Sequence, residues 1–218
     1  MSWEKDSHHL SLAFLSTLAS SSEAPSIIVE ILADLETEAA LTPFSSDSAN
    51  ILSNFYSIYF FALFLCDDLN EARFLSKRIP AQALQSDPLL ISTYTLLRFL
   101  YTRNYAETYT VFNSAPWSEH VNPLVVRFRD YHRQKTVVLL SKAYSSISPV
   151  QASIYLGFKG DEPRLQAYVA ERGWLLDESG LLKPAPVEVE EGGMDTDADG
   201  NDMRIAILSG LVTHLTEV

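Results

Sequence analysis

Tyr59–Pro80 reads YFFALFLCDDLNEARFLSKRIP and Tyr94–Pro116 reads YTLLRFLYTRNYAETYTVFNSAP, and both follow one order: an apolar helix, a polar break, a second amphipathic helix, then proline. Leu65 answers to Leu100, Glu71 to Glu107 and Pro80 to Pro116, an offset of 35 to 36 residues, with Pro43 one further period upstream. A helix-turn-helix unit recurring every ~34 to 36 residues marks stacked helical hairpins, because one hairpin cannot bury its apolar face without a neighbour. The surfaces of such stacks bind other proteins more often than they perform chemistry.

The flanking segments continue the helical pattern. Leu10, Phe14, Leu15 and Leu18 share one face, and Ile28, Ile31, Leu32, Leu35 and Ala39 keep the i, i+3, i+4, i+7 spacing. Asp67 or Asp68 can cap a helix through Ala72 and Leu75, and Asp87-Pro88 supplies a cap and a first-turn proline before Leu89–Tyr101. A long helix is expected from Ser118 to Ser145 or Ser146, carrying Leu124, Phe128 and Tyr131 inward with Pro123 in its first turn. Then the pattern changes. Ser148-Pro149-Val150-Gln151 is a capping box opening a short helix whose inward face is read as Val150, Ile154 and Tyr155. Gly157–Gly160 is a turn, Asp161 caps a helix with Leu165, Tyr168 and Val169 inward, and Gly173 stops it. Trp174-Leu175-Leu176 and Leu181-Leu182-Lys183 read as two short strands about a polar turn. Helix, turn, helix and hairpin in that order describe a small winged-helix domain.

Composition narrows the function. At 218 residues and 47% hydrophobic the chain can bury one large core or two small ones, and its formal charge of -12 opposes a nucleic-acid role resting on an overall positive field. The second winged-helix helix balances Arg164 and Arg172 against Asp161, Glu162 and Glu171, a poor recognition helix for a major groove. The basic cluster Arg127, Arg129, His132, Arg133 and Lys135 is read as a solvated face or a contact for an acidic partner. Ile51–Cys66 is apolar but shorter than the ~20 residues of a membrane span and is broken by Asn54 and Ser57, so a buried helix is expected. Leu10–Ala19 lacks the positive flank of a secretory signal, since Glu4 and Asp6 offset Lys5. Cys66, the lone cysteine, cannot close an internal disulfide; it is expected to pack as a small hydrophobe in a reducing compartment.

Catalytic constellations are missing from the sequence. His8, His9, His120, His132 and His214 include no His-x-His pair or HExxH, and neither GxSxG nor a phosphate-binding glycine loop occurs. Cys66 is flanked by Asp67 and Asp68, which oppose a thiolate. Asp195, Asp197, Asp199 and Gly200 imitate the start of a calcium loop, but Ala206 occupies the bidentate glutamate position. No cofactor or metal is expected. Pro184–Asp202, with seven carboxylates and no basic residue, reads as an acidic linker. Beyond it Ile205, Leu208, Leu211, Val212 and Leu215 form the apolar stripe of a last helix, which can either fold back on its own domain or insert between partner helices. The short strands, with Leu176 and Leu182, are the second expected contact, since an unpaired strand edge invites pairing, and Trp174 is read either as part of that contact or as core.

The stretch FYSIYFFALFLCDDLNEARFLSKRIP from Phe55, the stretch NYAETYTVFNSAPWSEHVNPLVVRFRDYHRQKTVVLLSKAYSSI from Asn104, YLGF at 155–158 and ERGW at 171–174 together resemble the subunit 8 family of the COP9 signalosome. That family lies within the wider PCI-domain group, and the likeness covers about Ile51 to Pro186, with a further likeness in the terminal helix. Its most specific pieces are Asn70-Glu71-Ala72-Arg73, Lys77-Arg78-Ile79-Pro80, Trp117-Ser118-Glu119 with Val121 and Pro123, and Ala143-Tyr144. The chain departs from the animal members in an expanded N-terminal region and a shorter, acidic linker. The resemblance implies a PCI architecture: TPR-like helical-hairpin repeats over 1–146, a winged-helix subdomain over 147–184, an acidic linker over 185–201 and a partner-binding C-terminal helix over 202–218. It also implies a non-catalytic scaffold in the cytoplasm and nucleus. Such a subunit would join others of a complex that removes NEDD8 from cullins, and so act indirectly on cullin-RING ligases without touching a membrane. The rival readings are a proteasome regulatory-particle lid subunit and a PCI-type nucleic-acid-binding adaptor.

Overall fold

The computed structural model describes residues 9–42 and 48–185. The acidic segment and the apolar stripe Ile205, Leu208, Leu211, Val212 and Leu215 lie outside the described residues. Among the described residues the chain is mostly helical: α1 (Leu12–Ser20), α2 (Pro25–Leu41), α3 (Ala49–Leu65), α4 (Leu69–Arg78), α5 (Ala81–Ser86), α6 (Pro88–Tyr101), α7 (Tyr105–Ser114), α8 (Asn122–Ala143), α9 (Pro149–Leu156) and α10 (Glu162–Ala170), followed by β1 (Leu175–Leu176) and β2 (Leu182–Lys183).

α3 is the axis of the larger core. Every residue from Leu52 to Leu65 is buried, because α1, α2, α4, α6 and α8 pack around it, which is why its sequence is apolar on all sides. Its few polar groups are satisfied internally: Ser53 Oγ donates to Asp87 Oδ2 at 2.6 Å, Asn54 Nδ2 donates to the Asn50 carbonyl at 2.7 Å, and Ser118 Oγ donates to Asn54 Oδ1. Pairing of this kind removes the penalty of burying an amide or hydroxyl. Phe61 meets Trp117 edge-on with ring centroids 5.4 Å apart, and Phe64 lies 5.4 Å from Phe128 of α8.

The echo in the sequence is a repeated turn. Cys66-Asp67-Asp68 joins α3 to α4, and Thr102-Arg103-Asn104 joins α6 to α7, 36 positions later. In each, the middle residue is left-handed, Asp67 at φ 61 and Arg103 at φ 54. In each, the third amide donates five residues back, Asp68 to Leu63 and Asn104 to Phe99. That is the Schellman closure of a helix C-terminus. The third side chain then caps the next helix, with Asp68 Oδ1 accepting from the Glu71 amide and Asn104 Oδ1 from the Glu107 amide. One residue thus ends one helix and starts the next. The copies diverge downstream, since the first inserts α5 before α6 while the second leads through Pro116 to α8.

α8 is shared by two cores. Its N-terminal half contributes Leu124 and Phe128 to the α3-centred cluster, and its C-terminal half contributes Val137 and Leu140 to a smaller one with Leu156, Leu165, Val169, Trp174 and Leu182. It starts at Asn122, four residues later than expected, since Ser118 is occupied with Asn54 and accepts from the Val121 amide at 3.3 Å. The cap assignments hold: Ser148 Oγ accepts from Gln151 N, and Asp161 Oδ1 accepts from Arg164 N. Two packing expectations do not. Cys66 is exposed, because α3 ends there and Asp67 turns the chain outward. Val150 is 64% exposed, and Ala152, Ser153 and Leu156 form the buried face of α9, one phase around the helix from the expected one.

Candidate functional site

β1 and β2 pair antiparallel, with Leu175 opposite Lys183 and Leu176 opposite Leu182. On its other side Leu182 exchanges both backbone bonds with Ile147, N to O at 2.8 Å and O from N at 2.9 Å. Leu182 therefore aims its amide and carbonyl at Ile147, so Leu176 and Leu182 form a non-hydrogen-bonded pair. The amide and carbonyl of Leu176 consequently face away from β2, along an edge that no other described strand covers. Asp177 closes the hairpin, its amide donating to Leu181 O at 2.8 Å and its carboxylate pairing with Lys183 Nζ at 2.7 Å. That lysine holds the Asp177 carboxyl below the usual carboxylate range.

The contact residues read from the sequence divide accordingly. Trp174 is 4% and Leu182 2% exposed, both in the smaller core, so neither offers its side chain to a partner. Leu176 is 58% exposed, and Leu175, which sequence reasoning passed over, is 69% exposed. No signal in the sequence marked it, since its exposure follows from Ile147 taking the other side of β2 and leaving β1 at the edge.

The cluster from Arg127 to Lys135 is not a basic face. Arg127 donates to the Glu23 carbonyl at 3.0 Å, and Lys135 pairs with Asp67. Arg133 Nε donates to the Leu156 carbonyl at 2.9 Å, capping the end of α9, while its guanidinium lies 4.6 Å from the Phe158 ring centroid and 5.6 Å from those of Tyr109 and Tyr168. It pins α8 to α7, α9 and α10. Burial holds the His132 imidazole down at about 4, with Lys135 and Arg133 acting in the same direction, and its Nδ1 is 3.3 Å from the Tyr109 hydroxyl. Burial likewise raises the Tyr109 phenol. Gly157 completes the junction at φ 74, its α-carbon pressed to the Tyr109 ring. His132, Arg133 and Tyr109 are thus absorbed in packing, while Lys135 stays half exposed.

Among the described residues no group of three or more His, Cys, Asp or Glu is placed to hold a metal ion, and no helix is long and apolar enough to cross a membrane. Partial burial and the neighbouring Asp68 raise the Cys66 thiol, which disfavours the nucleophilic thiolate.

A mostly helical chain with an open, apolar strand edge offers a surface on which a strand of another chain can pair. Residues 50–191 match the profile of the CSN8/PSMD8/EIF3K family, and the chain belongs to that family. It is 32% identical over 184 residues to the COP9 signalosome complex subunit 8 of Emericella nidulans, covering 82% of this chain and 85% of that protein. It is 28% identical over 160 residues to the protein of the same name from Arabidopsis thaliana, covering 73% and 78%. The Xenopus laevis protein of that name is 32% identical over 125 residues, covering 56% and 63%.

Proposed function

We propose that the chain is a non-catalytic scaffold subunit of the COP9 signalosome, in the cytoplasm and nucleus. There it supports the complex that removes NEDD8 from cullins and so regulates cullin-RING ligases. In this reading α3–α4 and α6–α7 are TPR-like hairpins, α9, α10 and the β1–β2 hairpin form a winged helix, and together they make a PCI architecture. The segment 202–218 inserts among partner helices. The observation that carries the proposal is the open edge of β1 with Leu175 and Leu176 exposed beside it, on a chain whose relatives are named for their place in that complex. A partner strand adding to that edge would gain backbone hydrogen bonds and bury two leucines.

The test is affinity purification of the full chain from native extract followed by mass spectrometry. Signalosome subunits should co-purify, and changing Leu175 and Leu176 to Asp should reduce their recovery severalfold while leaving thermal unfolding within a few degrees of wild type, as exposed substitutions do. Recovery of proteasome lid subunits or RNA-associated proteins in their place refutes the assignment.

A further inference from the structure

A groove of about 660 Å³ opens between α8 and the two repeated turns, lined by Asp67, Tyr101, Arg103, Lys135, Leu139 and Lys142 among others. Its floor reaches the buried rings of Phe64 and Phe128, while Tyr101 and Leu139 stand about half exposed at its mouth. An apolar surface extends from it, because the Arg73 guanidinium lies 6.0 Å from the Tyr101 ring and 5.6 Å from that of Phe74, a further exposed aromatic, with Lys77 Nζ 5.7 Å from the same Phe74 ring. Only one carboxylate lines the groove, and Lys135 neutralises it through its pair with Asp67. Among the described residues Arg73, Lys77, Arg103 and Lys142 have no carboxylate within ion-pairing distance. Four unpaired cations around an apolar strip are conspicuous on a chain of formal charge -12.

We infer that this groove docks an acidic amphipathic segment of a neighbouring protein subunit, its apolar stripe on Tyr101 and Leu139 and its carboxylates on Arg103 and Lys142. The cations flank apolar side chains instead of forming a continuous track, which suits alternating carboxylates and hydrophobes better than a phosphate backbone. The repeated turns explain the placement: Arg103 takes up the left-handed turn position equivalent to Asp67, so the second copy presents a cation where the first presents an anion. The inference rests on the assembly reading and names the chemistry of one of its partners.

The probe is a labelled 16-residue peptide with leucine at i, i+3, i+4 and i+7 and glutamate between them, titrated into the full chain by fluorescence anisotropy. A lysine-for-glutamate peptide and a 16-nucleotide polyuridine RNA are the comparisons. The acidic peptide should bind saturably and at least about tenfold more tightly than either comparison, and the Arg103→Glu/Lys142→Glu pair and Leu139→Asp should each weaken it about tenfold with unfolding unchanged. A photo-crosslinker at Leu139, in the complex purified with the full chain, should mark a carboxylate-rich amphipathic segment of another subunit. Equal binding of the basic peptide, tighter binding of the RNA, indifference to these substitutions, or a crosslink to a basic segment overturns the inference. If signalosome subunits co-purify and the acidic peptide does not bind, this inference alone fails; if they do not co-purify, the assembly reading fails.

Discussion

Replacing Gly157 by alanine tests the junction where the C-terminal helices meet the hairpins. The backbone there has φ +74, and a Cβ would stand 2.3 Å from both Cδ1 and Cγ of Tyr109 and 2.8 Å from Cδ2. Two costs arise. Holding an L-residue in the left-handed region costs about 1–2 kcal/mol. The clash requires the Tyr109 ring to retreat by more than an ångström, although it is buried against Phe112 and His132 and faced by the Arg133 guanidinium; overpacking of this kind adds ~1–3 kcal/mol. The total, ~2–5 kcal/mol, should lower the melting temperature by about 5–15 °C at this size. Gly160 is the internal control, because its φ is +84 but nothing lies within 4 Å of its Cβ position, so Gly160→Ala should show the backbone cost alone. Urea denaturation of Gly157→Ala, Gly160→Ala and the pair Gly157→Ala/Tyr109→Ala separates the contributions, and the cycle with Tyr109→Ala should give a coupling of at least ~1 kcal/mol. If Gly157→Ala costs no more than Gly160→Ala, the packing described at this junction is wrong.

Two further expectations concern the same junction. Arg133→Ala should destabilise the chain by ~2–3 kcal/mol, since it removes a charged donor and leaves the Leu156 carbonyl at the end of α9 without that partner; Arg133→Lys should recover less than half of the loss in chemical denaturation, because an ammonium cannot stack as a plane on Phe158. His132, held at about 4 against an ordinary 6.5, is neutral in the folded state, so proton uptake favours the unfolded chain. Its contribution is present above about pH 6.5 and is lost as pH falls toward 4; between pH 7 and 5 it should remove about 2 kcal/mol. His132→Gln should show a correspondingly flatter stability profile over that interval, and a profile parallel to wild type would count against the buried neutral imidazole.

Local features were legible in the sequence because their causes lie within a few residues. Asp87, Ser148 and Asp161 cap helices whose amides lie two or three positions further on. The choice between Asp67 and Asp68 was not legible, since either carboxylate could cap; Asp67 instead takes the left-handed position and pairs with Lys135, 68 residues away. Arg127 and Arg133 looked like surface charge because a string of basic residues carries no record of which carbonyl each will reach, and their acceptors belong to Glu23 and Leu156. Periodicity placed Val150 inward for lack of any mark of which neighbour α9 would meet.

The order of residues was enough to set most of the helices, the caps at Asp87, Ser148 and Asp161, and the echo of two turns at a 36-residue offset, since these arise from backbone sterics and hydrogen bonds closed within five positions. Folding in three dimensions settled which apolar side chains remain outside. Leu175 and Leu176 differ from Trp174 and Leu182 in no intrinsic property that commits them to the surface; they are exposed because Ile147 occupies one side of β2 and β1 is left at the edge. Burial is a relation between distant segments, and it is absent from any one of them.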